Sequence, residues 1–209
     1  LVSDYSNNRD ISKIPGIVFK QDGQIFVGKS GERLVDLENK KYPLDILPKE
    51  ARELMNMEGY FNIGLFHSAK SRTKRVGNIM ASRGCPEECT FCTTPQMWGN
   101  VVRWKSPQNI YEEIKELKEV YRVGEIQFDD DTLTSNRKVL LELCDLIEPL
   151  KIQWCTPNGV KVNYHAQDPE KQAHLFKRMH ESGCYQITFA VESGDQGILD
   201  NLIKKRLPL

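Results

Sequence analysis

From Val76 onward the chain alternates between two hydrophobic periods. Asn78-Ile79-Met80-Ala81-Ser82 has the composition of a short buried strand. Ser106-Pro107 then supplies an N-cap followed by a first-turn proline. Ile110, Ile114, Leu117 and Tyr121 recur on one helical face until Gly124 stops the run. Ile126-Gln127-Phe128 predicts the next strand, which ends in Asp129-Asp130-Asp131. Leu140, Leu143, Cys144 and Ile147 form the apolar stripe of a second helix, on which Cys144 reads as core packing. Ile152 to Thr156 predicts a third strand, ending at Pro157-Asn158-Gly159. Asp168-Pro169 caps a third helix, with Leu175, Phe176 and Met179 inward and Gly183 at its end. Gln186 to Val191 predicts a fourth strand, ending at Glu192-Ser193-Gly194, and a short helix from Gln196 to Ile203 follows. Strands alternating with helices make βαβ units and a parallel sheet. Four such units in register predict an α/β fold, part of a β/α barrel.

The first third reads differently. Residues 1–12 are polar and irregular. Two short strand-like runs, Gly16 to Lys20 and Gln24 to Val27, flank Asp22-Gly23, a strong hairpin signal. Ser30 to Leu47 is loop-like, with Pro43 and Pro48 as punctuation. A helix is expected from Pro48 to about Met57, and a strand from Phe61 to Phe66. This third carries no chemical motif. The expected organisation is a connector region over 1–76 and a C-terminally incomplete core over 77–209. A start without Met and a stop just after a helical segment suggest a fragment of a longer protein.

Composition narrows the class. With 209 residues, 28% charged and 39% hydrophobic, the chain reads as soluble and globular. Lys+Arg and Asp+Glu are both 29, so there is no electrostatic footprint for nucleic acid. The run Lys70, Arg72, Lys74, Arg75 reads as a solvated linker face. No apolar run approaches the roughly 20 residues of a membrane span, and no signal peptide is visible. Six cysteines, three of them clustered, fit a reducing compartment better than a disulfide scaffold, so a cytoplasmic location is expected.

The chemistry concentrates at Arg83-Gly84-Cys85-Pro86-Glu87-Glu88-Cys89-Thr90-Phe91-Cys92. Three thiolates so close in sequence converge, and thiolates converge on soft metals. A structural zinc wants four ligands, commonly from two Cys-x-x-Cys knuckles or one with a His pair. Cys144, Cys155 and Cys184 are single and far apart, so no second knuckle exists. A 4Fe–4S cluster held by three thiolates leaves one iron open to a small molecule. Zinc and cluster both remain possible on spacing alone. The site of a β/α barrel lies at the C-terminal strand ends. The cysteine loop, Asp129–Asp131, Asn158 and Glu192-Ser193 all fall at that pole. The four histidines, His67, His165, His174 and His180, read as structural or exposed.

Cys85-x-x-x-Cys89-x-Phe91-Cys92, with an aromatic residue before the last cysteine, resembles the signature of the radical S-adenosylmethionine enzymes. The resemblance covers about residues 77–209. It is strongest toward the cobalamin-linked branch, related to the anaerobic cyclase of bacteriochlorophyll synthesis. Pro95, Trp98, Arg103 and Ser106-Pro107 match that branch after the cysteines. Asp130-Asp131 with Leu133-Thr134, Pro157–Gly159 and Glu192–Gly194 match its strand ends. The hairpin at Asp22-Gly23 resembles the connector after a cobalamin-binding domain. The chain departs from the pattern in three respects. It lacks the cobalamin signature Asp-x-His-x-x-Gly, it has Asp130-Asp131-Thr132 where many radical enzymes have Gly-Gly-Glu, and it lacks the last two strands of a six-strand barrel.

The fold implied is a partial (β/α) TIM-like barrel of the radical S-adenosylmethionine type. It is truncated after about four βα units and leaves an open edge at Ile187–Val191. The implied cofactors are a 4Fe–4S cluster and S-adenosylmethionine, with cobalamin in the full-length protein. Cys85, Cys89 and Cys92 would ligate iron. Phe91 would lie against adenine, Asp130 and Asp131 would take an ammonium group, and Asn158, Glu192 and Ser193 would complete the cofactor site. In this family reductive cleavage of the sulfonium yields a 5′-deoxyadenosyl radical that abstracts hydrogen from substrate. The expected function is methylation, cyclisation or rearrangement at an unactivated carbon. The expected partners are a small-molecule substrate and an electron donor such as flavodoxin or ferredoxin, with neither nucleic acid nor membrane. Two other readings are a methylthiotransferase of tRNA or protein, and a non-catalytic zinc-stabilised binding module. The first lacks support from upstream cysteines or a basic RNA surface.

Overall fold

The computed structural model describes residues 10, 14, 16–28, 41–64, 67–68, 70–164 and 166–208. The chain divides into two units, 1–40 and 41–209. The expected irregular stretches at 1–9 and 30–40, the Leu65-Phe66 end of an expected strand, and His165 lie outside the described residues.

The first unit is the expected hairpin. β1 (Val18–Gln21) pairs antiparallel with β2 (Gln24–Val27), and Gln21 faces Gln24. Asp22 (φ 49) and Gly23 (φ 82) are both left-handed, the conformation a two-residue hairpin loop demands. Phe19 and Phe26 stack across it at 5.2 Å.

The second unit opens with 3-10 turns at Pro43–Ile46 and Arg52–Leu54, then α1 (Met57–Ile63). Here the sequence expectation needs correcting: the helix starts at Met57 rather than Pro48, and Phe61 lies in it rather than in a strand. The Asn56 side chain accepts from the Gly59 amide and caps the helix, and Gly64 (φ 65) ends it. Phe61 is the buried anchor, with the Arg75 guanidinium 4.2 Å from its ring centroid.

β3 (Val76–Ile79), β4 (Ser82–Arg83), α2 (Thr94–Trp98) and β5 (Arg103–Trp104) follow. Next come α3 (Pro107–Glu119), β6 (Glu125–Phe128), α4 (Arg137–Ile147), β7 (Gln153–Val160), α5 (Pro169–Glu181) and β8 (Cys184–Phe189). β4 and β5 form a small antiparallel pair. The main sheet is parallel, in the order β3-β6-β7-β8. Strand order equals chain order, and α3 packs on α4 and α4 on α5. All three crossovers therefore lie on one face, the arrangement of a barrel arc rather than a doubly wound sheet. Among the described residues, β8 pairs only with β7.

The core lies between sheet and helices. Ile126 and Phe128 point outward to Ile110, Ile114, Leu140, Leu143 and Ile147, and Phe128 meets Trp154 edge-on at 5.3 Å. Glu125 and Gln127 occupy the alternate positions of β6, fully buried on the other face. There they bond to the segment entering β3. The Ser68 amide donates to Gln127 at 3.0 Å, the Arg72 amide to Glu125 at 2.6 Å, and the Tyr185 hydroxyl to Glu125 at 2.6 Å. Arg72 also stacks on Tyr185 and bonds to Gln153, while Arg75 pairs with Glu58. Arg72 stays exposed and Arg75 partly so, as expected of a solvated face, while both also bond to the framework. A separate charge network joins the linker to α3. Glu113 takes Arg52 at 2.5 Å and Lys105 at 2.7 Å, and Lys105 also reaches Glu50 at 3.1 Å. No described helix is long and apolar enough to cross a membrane.

Candidate active site

The cysteine loop runs from β4 to α2 at the C-terminal pole of the sheet. Gly84 (φ 106) makes its entry possible, because a Cβ there would sit 2.3 Å from the Val101 carbonyl oxygen. The Cys92 amide donates to the Cys89 carbonyl at 3.0 Å, and the Thr94 amide reaches the Cys92 sulfur at 3.4 Å. The loop is tied to three other elements. The Thr94 hydroxyl bonds to Asp131 at 3.2 Å, beyond the end of β6. Glu87 pairs with Lys161, just past β7, at 2.9 Å with both side chains nearly buried. The Thr90 amide and hydroxyl donate to the carbonyls of Ile203 and Leu202, in the π-helix Ile198–Ile203.

These ties gather Cys85, Cys89 and Cys92, all free and partly exposed, around a cavity of about 200 Å³. Phe91, Asp131 and Glu192 line it too, with Phe91 63% exposed at the rim. Glu192 is left-handed (φ 67), and its carboxylate accepts from the buried Lys205 ammonium at 2.6 Å. Other expected residues lie elsewhere. Asp130 is buried behind the cavity, where it accepts from the Ala81 amide at 3.0 Å and the Ser82 hydroxyl at 2.5 Å. Asn158 donates to the Asp129 carbonyl at 2.8 Å and accepts from the His67 ring at 2.6 Å. The Ser193 hydroxyl accepts from the Asp195 amide in a local turn.

The cavity wall also includes Thr132, Lys161, Tyr164 and Lys205, none of which the sequence marked as site residues. Pro157-Asn158-Gly159 reads as a turn, but β7 continues through it to Val160 across a register shift, so the pole lies a few residues later. Lys205 sits in what reads as a tail.

Asp131 Oδ2, a buried side-chain atom on this cavity, has no hydrogen-bond partner among the described residues, while the Tyr164 hydroxyl interacts with Thr132 and Glu87. Such an atom costs about 1–3 kcal/mol unless something bonds to it, so Asp131 Oδ2 favours a polar ligand in this cavity. Burial pushes the Cys85 and Cys89 thiols up, with the Lys205 ammonium pulling Cys89 the other way. Burial also raises the Asp131 carboxyl and the Tyr164 phenol. The cavity by itself favours neutral thiols, and a bound metal centre reverses that preference. Among the described residues, no three His, Cys, Asp or Glu are gathered closely enough to share one metal ion. Sulfurs spread around a cavity suit a cluster, in which separate irons each take one thiolate.

Asp130 carries a pH prediction. Burial pushes its carboxyl from 3.8 up to about 7, against the opposing Ser82 and Ala81 hydrogen bonds. Between those values the folded chain holds a proton that the unfolded chain has lost. The resulting stability is full below about pH 4 and is lost as pH rises through 7, at about 1.4 kcal/mol per pH unit. Urea melts from pH 4 to 8 are expected to show this slope in the wild type and not in Asp130→Asn. Identical slopes would place the proton elsewhere.

Residues 79–207 match the Radical SAM superfamily. The chain is 39% identical over 166 residues to cytidylyl-2-hydroxyethylphosphonate methyltransferase of Streptomyces wedmorensis, covering 79% of this chain and 30% of that protein. It is 28% identical over 130 residues to the anaerobic magnesium-protoporphyrin IX monomethyl ester cyclase of Cereibacter sphaeroides, covering 60% of this chain and 20% of that one. The fold matches the cobalamin-dependent S-adenosylmethionine radical enzyme OxsB, with a TM-score of 0.65 at 15% identity over 99% of this chain and 28% of that chain. It also matches the methyltransferase TsrM of Kitasatospora setae, with a TM-score of 0.63 at 14% identity over 94% and 36%. The chain thus spans well under half the length of these relatives. A family match over more than half of the chain, on a barrel arc with a three-cysteine loop at its C-terminal pole, makes this chain a member of the radical S-adenosylmethionine superfamily.

Proposed function

We propose that residues 77–209 form the core of an enzyme that methylates or cyclises an unactivated carbon of a small molecule. Residues 1–76 would connect it to a cobalamin-binding part of the full-length protein. The observation that carries this reading is the shared cavity: three free cysteines and the unpaired buried Asp131 Oδ2 on its wall. The named relatives support methylation and cyclisation as the outcomes. An electron donor such as flavodoxin or ferredoxin, and a cytoplasmic location, belong to the same proposal.

Cys85, Cys89 and Cys92 would hold the 4Fe–4S cluster, which supplies the electron and the open iron for reductive cleavage of S-adenosylmethionine. The protein's own part is binding and orientation. Asp131 Oδ2 offers an acceptor for the methionyl ammonium, and the Lys205 and Lys161 ammoniums complement its carboxylate. Thr132 and Tyr164 add hydroxyls to the same wall. Phe91 presents an exposed ring face for adenine, and Glu192, beside Ser193, accepts from ribose hydroxyls. Asp130 and Asn158 act from behind, holding the end of β6 against the β3–β4 turn and β7.

Anaerobic reconstitution is expected to load iron and sulfide, and dithionite with S-adenosylmethionine to release 5′-deoxyadenosine. A chain that takes zinc and no iron would overturn the reading. Glu192→Ala removes a charge-assisted hydrogen bond worth about 1.5–3 kcal/mol, so S-adenosylmethionine affinity should fall roughly 10- to 150-fold. Calorimetric titration of the cluster-loaded variant checks this, and an unchanged affinity would remove Glu192 from the site.

A further inference from the structure

A second cavity, of about 440 Å³, shares no lining residue with the cysteine cavity. That volume lies within the range of small-molecule pockets, roughly 300–1,000 Å³. Leu47, Pro48 and Met80 supply apolar wall. Most of its charges are already committed, since Arg52 and Lys105 pair with Glu50 and Glu113. Two groups are not. Arg83 has no carboxylate partner among the described residues. Its guanidinium lies 5.1 Å from the Trp98 ring centroid, which holds the planar fork in place and leaves its edge donors free. Asp129 accepts from Asn78 at 2.8 Å through Oδ2, while its buried Oδ1 has no partner among the described residues. The cavity therefore offers one uncommitted bidentate cation and one uncommitted acceptor. Arg83 stands two residues before Cys85, so the cavity adjoins the loop of the cysteine site.

We propose that this cavity is the substrate pocket, and that it takes a small molecule whose oxyanion group is held by Arg83 and whose hydroxyl or amine donates to Asp129 Oδ1. Phosphonate, phosphate and carboxylate share the required chemistry. An unpaired buried acceptor costs free energy, so a donor in the ligand is selected along with the anion. The proposal rests on the reading of the cysteine cavity as the reacting centre, because the pocket's use depends on lying beside it.

The test is calorimetric titration of the anaerobically reconstituted 209-residue chain with inorganic phosphate, methylphosphonate and acetate, with and without saturating S-adenosylmethionine. At least one of these anions should bind, and the order of affinities tells which acid the pocket takes. Arg83→Gln is expected to weaken that binding at least about tenfold, and Arg83→Lys, which keeps the charge and loses the fork, by an intermediate amount. Met80→Glu sets a carboxylate into the wall away from the cysteines and should abolish anion binding while iron content and S-adenosylmethionine affinity stay at wild-type values. No binding of any of the three, equal affinity in wild type and Arg83→Gln, or displacement of the anion by S-adenosylmethionine would each overturn the proposal. Anion binding that still depends on Arg83 in a chain that loads no iron leaves the pocket standing and removes the reading of the cysteine cavity instead.

Discussion

Replacing any one of Cys85, Cys89 or Cys92 by alanine is expected to abolish stable iron binding. A cluster with one iron left open for its ligand has no thiolate to spare, and each remaining iron depends on one cysteine. The other cysteines cannot substitute. Cys144 lies in α4, Cys155 in β7 and Cys184 in β8, all buried in the framework rather than in a loop. Moving one into the cavity would require unfolding the element that carries it. Iron and sulfide per chain and visible absorption after anaerobic reconstitution measure the effect. Each of the three variants should fall more than about tenfold, while Cys144→Ala and Cys155→Ala should keep the cluster. Full iron in any of the three would remove that residue from the ligand set. Iron loss in a folded Cys155→Ala chain would mean that the ligands have been misplaced.

The second large effect is on stability. Glu113→Ala should destabilise the chain by about 3–5 kcal/mol, the usual cost of removing one partner from a buried ion pair. Glu113 is 5% exposed on α3 and receives both Arg52 and Lys105, each 8% exposed. Burial alone would push the Lys105 ammonium down, but the hydrogen bonds and charges of Glu113 and Glu50 outweigh it and leave the group above its ordinary value. Without Glu113, the two cations are left to the half-exposed Glu50. Native domains have only about 5–15 kcal/mol in hand, so the variant should be marginal at best. Glu113→Gln keeps the shape and one acceptor and should lose less. Urea melts compare the midpoints at unchanged slope, and a loss under about 1 kcal/mol would show that the network is too well hydrated to matter.

The two predictions draw on different levels of information. The cysteine ligands could be chosen before any fold was known, because their spacing is local. The same holds for the hairpin, where Asp22-Gly23 can hardly be anything but a tight turn. It holds as well for the βαβ succession, whose caps at Ser106 and Asp168 and whose apolar stripes act within one or two turns of chain. Glu113 is different. In the sequence it is one more acid on a helix, and only docking of the linker makes it the hub of a buried network.

The site divides in the same way. That chemistry would sit at the C-terminal strand ends followed from the alternation of strands and helices. Which side chains face the cavity did not. Asp130 and Asp131 are neighbours, yet one is buried against the β3–β4 turn and the other lines the cavity. Asn158 reads as the tip of a turn, yet lies within β7, because pairing with β8 resumes at Val160 after a register shift and the Asn158 side chain is tied to the Asp129 carbonyl. Lys161, Tyr164 and Lys205 carry no local mark at all. The order of elements and the clustered cysteine loop were legible in the chain alone, since both arise from interactions a few residues apart. The inward and outward faces, the buried charges and the walls of both cavities were decided only by strand register and by segments meeting across separations such as 37 and 112 residues, over which no local pattern acts.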